Sequence, residues 1–372
     1  MANKNGILFA EPTVCAVEDY YIIAVPVRKK VLMHVEIGGK KFFNHSNGVR
    51  VSDTCVQMFR VPSALLNENK EYKIIFKQVY KRLAYFVSAG EEQAFTYKFK
   101  PLEKTENINI CHISDTHGQR KAPFGCGSYF GDDLDLLILN GDISSSTEKM
   151  SQVILPYQIA SDITKGEIPV IISRGNHDLR GENAEKLDKL LPTANGKSYY
   201  TVSLGEISFL VTDCGEDKVD EHREYWGTAA YHGFREEETE FIRSVAEKVD
   251  FSNKKYRFVI SHIPFPIRNT DPWGVDKAPF DIENEIYDEW TALVNESFKP
   301  QFFFGGHYHE TEIVRQDSER NTRKVCCDIL LGSKPEGKTD FICTCVTVNK
   351  DGCSVRFVDK NRKVINESVS KF

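Results

Sequence analysis

Ile108-Asn-Ile-Cys-His-Ile-Ser-Asp115-Thr-His117 is an apolar run that closes on a carboxylate and an imidazole. The same grammar recurs along the chain. Leu134–Asn140 runs into Gly141-Asp142, and Ile168–Ser173 into Arg174-Gly175-Asn176-His177-Asp178. Tyr256–Ser261 runs into His262, and Gln301–Phe304 into Gly305-Gly306-His307-Tyr308-His309. Near-continuous apolar runs of this length suit strands covered on both faces. Ligands of an open α/β sheet bind outside the carboxyl ends of its strands. Five strands therefore deliver Asp, Asn and His to one edge, and five of the seven histidines after residue 115 fall in these loops.

Working outward, Ile207–Thr212 reads as a further strand, with Asp213 closing it in a structural role. Ser146–Lys165 reads as a helix interrupted by Pro156, Arg235–Lys248 as a helix with acids early and Lys248 late, and Asp281–Phe298 as a third. From Glu312 onward the pattern returns to strands. Ahead of this region, Tyr20–Val27, Val31–Ile37, Cys55–Val61, Tyr72–Val79 and Ala94–Phe99 are short β-branched and aromatic runs separated by turn residues. They predict an immunoglobulin- or fibronectin-like β-sandwich, with Leu65-Leu66-Asn67 ahead of Tyr72 as a candidate tyrosine corner. Lys98–Asn109 is charged, carries Pro101 and reads as a linker. The expected organisation is a sandwich over residues 1–103 and an α/β domain over 104–372.

Composition narrows the class. The chain has 372 residues, 27% charged and 41% hydrophobic, which excludes disordered and coiled-coil architectures. Its formal net charge of −6 does not advertise a nucleic-acid partner. No apolar run is long enough to span a membrane, and Glu11-Pro12 interrupts the first one, so no membrane partner and a cytoplasmic location are expected. Ten cysteines without a CxxC pair are too few for a disulfide scaffold and read as reduced and buried. His34 and His45 read as ordinary strand and turn residues. His222 and His232 flank or fall in the surface loop Tyr225–Gly233, and the proline-rich Ile267–Phe280 reads as a specificity loop.

Carboxylate and imidazole without thiolate suit Zn, Mn, Fe, Ni or Co in a catalytic rather than a Cys-rich structural site. A shared carboxylate would let two such ions approach to about 3.5–4 Å. Five motifs in this order, each closing a strand, resemble the calcineurin-like metallophosphoesterase superfamily over roughly residues 108–312. That resemblance implies a layered α/β/β/α domain and two divalent or mixed-valence metal ions. It places Asp115, His117 and His309 on the first metal, Asn176, His262 and His307 on the second, and Asp142 between them. It implies hydrolysis of a phosphate-ester substrate by in-line attack of a metal-bridging hydroxide, with His177 assisting the leaving group and Asp178 orienting that imidazole. Arg174 is a candidate phosphate ligand, with a salt bridge as its alternative reading. The sandwich resembles the amino-terminal domain of purple acid phosphatases, yet Ser145 stands where that family carries its metal-binding Tyr. An interaction module that keeps the fold without catalysis is the alternative, but no expected ligand type is missing.

Overall fold

The computed structural model describes residues 6–248, 251, 253–268, 282–337 and 339–372. Two large sheets form its centre. The first has ten strands, and its middle is the parallel set Ile108–Ile113, Leu136–Asn140 and Pro169–Ser173. The antiparallel strands Asp340–Asn349, Gly352–Asp359 and Val364–Lys371 extend it on one side. The second sheet runs in the order Tyr200–Leu204, Ile207–Thr212, Tyr256–Ser261, Phe302–Gly305, Asp328–Gly332 and Thr311–Val314.

Strand alternation explains how these sheets stack. Phe209, Val211, Phe258, Ile260, Phe302, Phe304 and Leu330 share one core with Ile110, Leu137 and Ile171 of the first sheet. Their sequence neighbours Leu210, Val259, Phe303 and Ile329 point the other way, into a second core with Ile242, Val245 and Trp290 of the outer helices. Period-2 side chains thus serve two apolar layers at once. Helices Tyr231–Lys248 and Asn284–Leu293 cover this outer face. Trp290 is fully buried and its Nε1 donates to Thr239 Oγ1 at 2.7 Å, joining the two helices. Truncating such a side chain costs about 3–5 kcal/mol. Lys121–Gly127 and Leu155–Thr164 cover the first sheet, completing the α/β/β/α stack.

The helix expected over Ser146–Lys165 divides into Met150–Val153 and Leu155–Thr164. Pro156 has no N–H to donate, and it sits in the first turn of the second helix, where none is required. The helix expected from Asp281 begins at Asn284 and ends in a wider turn, Val294–Phe298.

The amino-terminal strands form an antiparallel sandwich. One layer is Gln93–Lys98, Glu71–Leu83, Val31–Ile37 and Lys40–Phe43, with Phe86–Ala89 hairpinned onto the second of these. The other layer is Thr13–Val17, Tyr20–Pro26 and Val56–Pro62, and it is not separate from the central sheet. Thr13–Val17 pairs in parallel with Pro169–Ser173, so the layer continues the ten-stranded sheet. Thr13–Val17, the strand that makes this junction, lies ahead of Tyr20–Val27, the first strand expected from the sequence. The tyrosine corner is also corrected. Tyr72 points inward and its hydroxyl donates to Gly166 O at 2.8 Å, across to the turn after helix Leu155–Thr164. Asn67 instead receives the hydroxyl of Tyr21.

Candidate metal centre

At the carboxyl ends of the central strands, the chain bends through conformations that L-residues rarely adopt. Asp115, His117, Asp142, His307 and His309 have φ of +54°, +46°, +53°, +71° and +54°. Left-handed backbone at such residues costs free energy, and it clusters where the surrounding fold enforces a functional geometry. Glycines make the bends possible. A Cβ on Gly175 would stand 2.3 Å from Asp142 Oδ1, and one on Gly141 2.6 Å from Gly175 N. The loops of two adjacent strands therefore touch backbone to backbone.

These bends gather the side chains. His117 Nε2 and His309 Nε2 face each other at 2.9 Å, with Asp115 Oδ1 3.5 Å from the latter. Asp142 Oδ2 lies 3.3 Å from His262 Nε2, 3.9 Å from His117 Nε2 and 4.0 Å from His177 Nε2. Asn176 Oδ1 and His307 Nδ1 are 3.2 Å apart. Three potential ligand groups overlap: Asp115 with His117 and His309, Asp115 with Asp142 and His262, and His117 with Asp142 and His177. Asp115, Asp142, Asn176 and His262 are buried, whereas the side chain of His309 is 45% exposed, so the cluster opens to solvent on that side.

Second contacts aim the ligand atoms. His262 Nδ1 donates to Asn140 O at 2.8 Å, which turns its Nε2 inward, where it has no hydrogen-bond partner. A backbone carbonyl behind a ring nitrogen is the usual brace of a metal-binding histidine. Ser114 Oγ donates to Asp115 Oδ2, and the His307 N–H donates to both Asp115 oxygens. Electrostatics agree with a cation between these groups. Burial alone would lower His262, but Asp142 and Asp115 drive it up to about 10, a field that draws positive charge. Burial lowers His117 and His307 to about 4, leaving both rings neutral as coordination requires. Burial would raise Asp142, but the His262 charge holds it well below the usual carboxylate range. Donor types, strained backbone and an unpartnered buried nitrogen together fit a metal centre.

His177 and Asp178 depart from the expected pairing. His177 Nδ1 lies 3.1 Å from Ser145 O, and the His177 N–H donates to Asp142 Oδ1. Asp178 does not hold the imidazole; its Oδ2 accepts the N–H groups of Gly175 and Asp142 at 3.0 Å each. Burial and then the Asp142 charge raise Asp178 to about 7. Ser145 turns its hydroxyl to His117 O and braces the loop. Arg174 Nε donates to Asp213 Oδ2 at 2.5 Å, the ion-pair alternative to a phosphate contact. His222 lies tilted against the Tyr225 ring and His232 bonds Glu283, both outside the cluster. Most of the Ile267–Phe280 loop lies outside the described residues.

Two contributors carry little or no sequence signal. Asn140 joins the sheets behind the centre: its Nδ2 lies 3.1 Å from both His112 Nε2 and Phe304 O, and its Oδ1 accepts from Ser173 Oγ. The Asn-Gly-Asp run was its sole trace. Asp217, in the loop after Ile207–Thr212, places Oδ2 3.9 Å from His307 Nε2 while bonding Lys218, and no motif marks it.

The folds of two solved structures can be laid over nearly the whole chain. One is a purple acid phosphatase, PPD1, from yellow lupin (Lupinus luteus) seeds, 11% identical, with a TM-score of 0.59 over 99% of this chain and 75% of that one. The other, the structure of PhoD, is 11% identical, with a TM-score of 0.55 over 100% of this chain and 90% of that one. At this identity they attest the fold, sandwich included. No curated protein sequence matches the chain. The family model for calcineurin-like phosphoesterases matches residues 108–311, more than half of the chain and all five strand-end motifs. The chain therefore belongs to the calcineurin-like phosphoesterase family.

Proposed function

We propose that the chain is a dinuclear metal-dependent phosphohydrolase, a phosphomonoesterase or phosphodiesterase. Asp115, His117 and His309 would hold one ion, Asn176, His262 and His307 the other, and Asp142 both. The observation that carries this reading is the sharing of Asp115 and Asp142 among three overlapping ligand groups, each with its ligand atoms within 4.8 Å. Bound there, Mn, Fe, Zn, Ni or Co ions would neutralise phosphoryl charge and acidify a water molecule. His177, with Nδ1 engaged by Ser145 O, keeps Nε2 on the cluster side, suited to hand a proton to the leaving oxygen. Asp178 is a positioning residue that locks the Gly175 and Asp142 loops together. Arg174 is a candidate substrate contact through its Nη donors, while its Nε pairs with Asp213. We assign the chemistry to residues 104–372 and the sandwich to residues 1–103, one layer of which continues the central sheet. Ten free cysteines support a reducing, cytoplasmic setting.

The test is hydrolysis of matched aryl phosphate monoester and diester with Mn(II), comparing wild type with His177→Ala. Chelator-sensitive turnover that falls about 10²–10⁴-fold in the variant supports the reading. Metal-loaded wild type that turns over neither ester would overturn it in favour of a catalytically silent interaction module.

A further inference from the structure

Strand Glu71–Leu83 buries every second residue, Tyr72, Ile74 and Phe76, and last of all Val79; from Tyr80 onward both of its faces are in solvent. Its last residues pair with Phe86–Ala89 around the two-residue turn Ala84-Tyr85, so the hairpin projects beyond the sandwich. Residues 80–87 are all exposed, and five of them are large and apolar: Tyr80, Leu83, Tyr85, Phe86 and Val87. They are five of the thirteen exposed large hydrophobics among the described residues, and Tyr85 at the tip is fully exposed. An isolated two-stranded hairpin gains no stability from rings held in water. Contiguous exposed apolar surface of this kind marks an interaction site.

Charge identifies the occupant. Between Tyr72 and Gly90 the sequence carries Lys73, Lys77, Lys81 and Arg82 and no acid, in a chain whose net charge is −6. Lys77 has Glu92 3.5 Å away, but Lys81 has no acidic partner among the described residues. Among the described residues Arg82 bonds only neutral oxygens, Arg50 O and Ser52 Oγ, and has no acidic partner. Aromatic rings at a tip with cations immediately behind them match a bilayer interface, where rings enter the headgroup layer and basic residues meet anionic lipid. We propose that the Tyr80–Ala89 hairpin docks the protein on a membrane surface that carries anionic phospholipid. This is contact at the surface and departs from the expectation of no membrane partner, which rested on the lack of a spanning segment; no described helix is long and apolar enough to cross a membrane.

The test is co-sedimentation of the full chain with phosphatidylcholine vesicles and with mixed phosphatidylcholine–phosphatidylserine vesicles. Binding is expected to the mixed vesicles and to weaken with salt. Lys81→Glu with Arg82→Glu should lower the partition about thirtyfold or more, and Tyr85→Ser with Phe86→Ser about a hundredfold. Thermal unfolding of the ring variant should match wild type, because those side chains touch no core. No binding by wild type, or equal binding to neutral and mixed vesicles, would overturn the proposal. So would a wild-type dimer in solution that the ring substitutions dissociate, since the hairpin would then be covered by a second copy of the chain.

Discussion

Replacing Gly175 by Ala tests whether the close approach of two strand-end loops builds the centre. Gly175 does not require the left-handed region, so backbone strain is not at issue. Its added Cβ would lie 2.3 Å from Asp142 Oδ1 and 2.5 Å from Asp142 N, where ordinary contact begins at 3.4 Å. Something must move by about 1.1 Å, the difference between 2.3 and 3.4 Å. The obstacle includes backbone, and Asp142 is held by the N–H of His177 and by Asp178, so the shift falls on the proposed bridging carboxylate. A misplacement of about 1 Å at reacting groups costs on the order of 10²-fold in rate. Overpacking adds about 1–3 kcal/mol of destabilisation. The assay is ester hydrolysis with bound metal counted by mass spectrometry, beside thermal unfolding to show that the variant folds. A folded Gly175→Ala protein with wild-type turnover and metal content would refute the argument that this contact positions Asp142.

His262→Ala should lose bound metal together with turnover, whereas His177→Ala should keep its metal and lose turnover; metal analysis of the purified variants separates the two roles. Glu238 is fully buried, and burial followed by the Asp213 charge raises its carboxyl well above the usual range. A carboxyl whose folded pKa is raised stabilises the fold below its unfolded value of about 4.3 and loses that contribution as pH rises. Glu238→Gln should therefore gain stability relative to wild type as pH rises above about 4.3, and a pH-independent difference in unfolding temperature would contradict this. Tyr72→Phe leaves Gly166 O without its partner across the junction and should cost about 1–3 kcal/mol in urea unfolding.

The chemistry was legible in the sequence because its signals are local. An apolar run names a strand, the residue after it lies at the sheet edge, and five such edges carried Asp115, His117, Asp142, Asn176, His177, His262, His307 and His309. Most of the central strands, the two outer helices and the amino-terminal strands follow from the same periodicity, whereas the stacking of two sheets between helices was implied by the family resemblance alone. What depends on the meeting of distant segments was not legible. Thr13–Val17 is a strand because Pro169–Ser173 offers it a partner, and that pairing makes the sandwich layer an extension of the central sheet. Asp178 stands beside His177 in the chain, yet its carboxylate turns to two backbone N–H groups of the adjoining loops, where burial leaves it no freer choice. Arg174 finds Asp213, and Asp217 approaches His307, across loops that share no pattern. Residue order determined which donors reach the edge; tertiary packing decided which atoms face one another, because a hydrogen bond or a carboxylate field acts through space rather than along the chain.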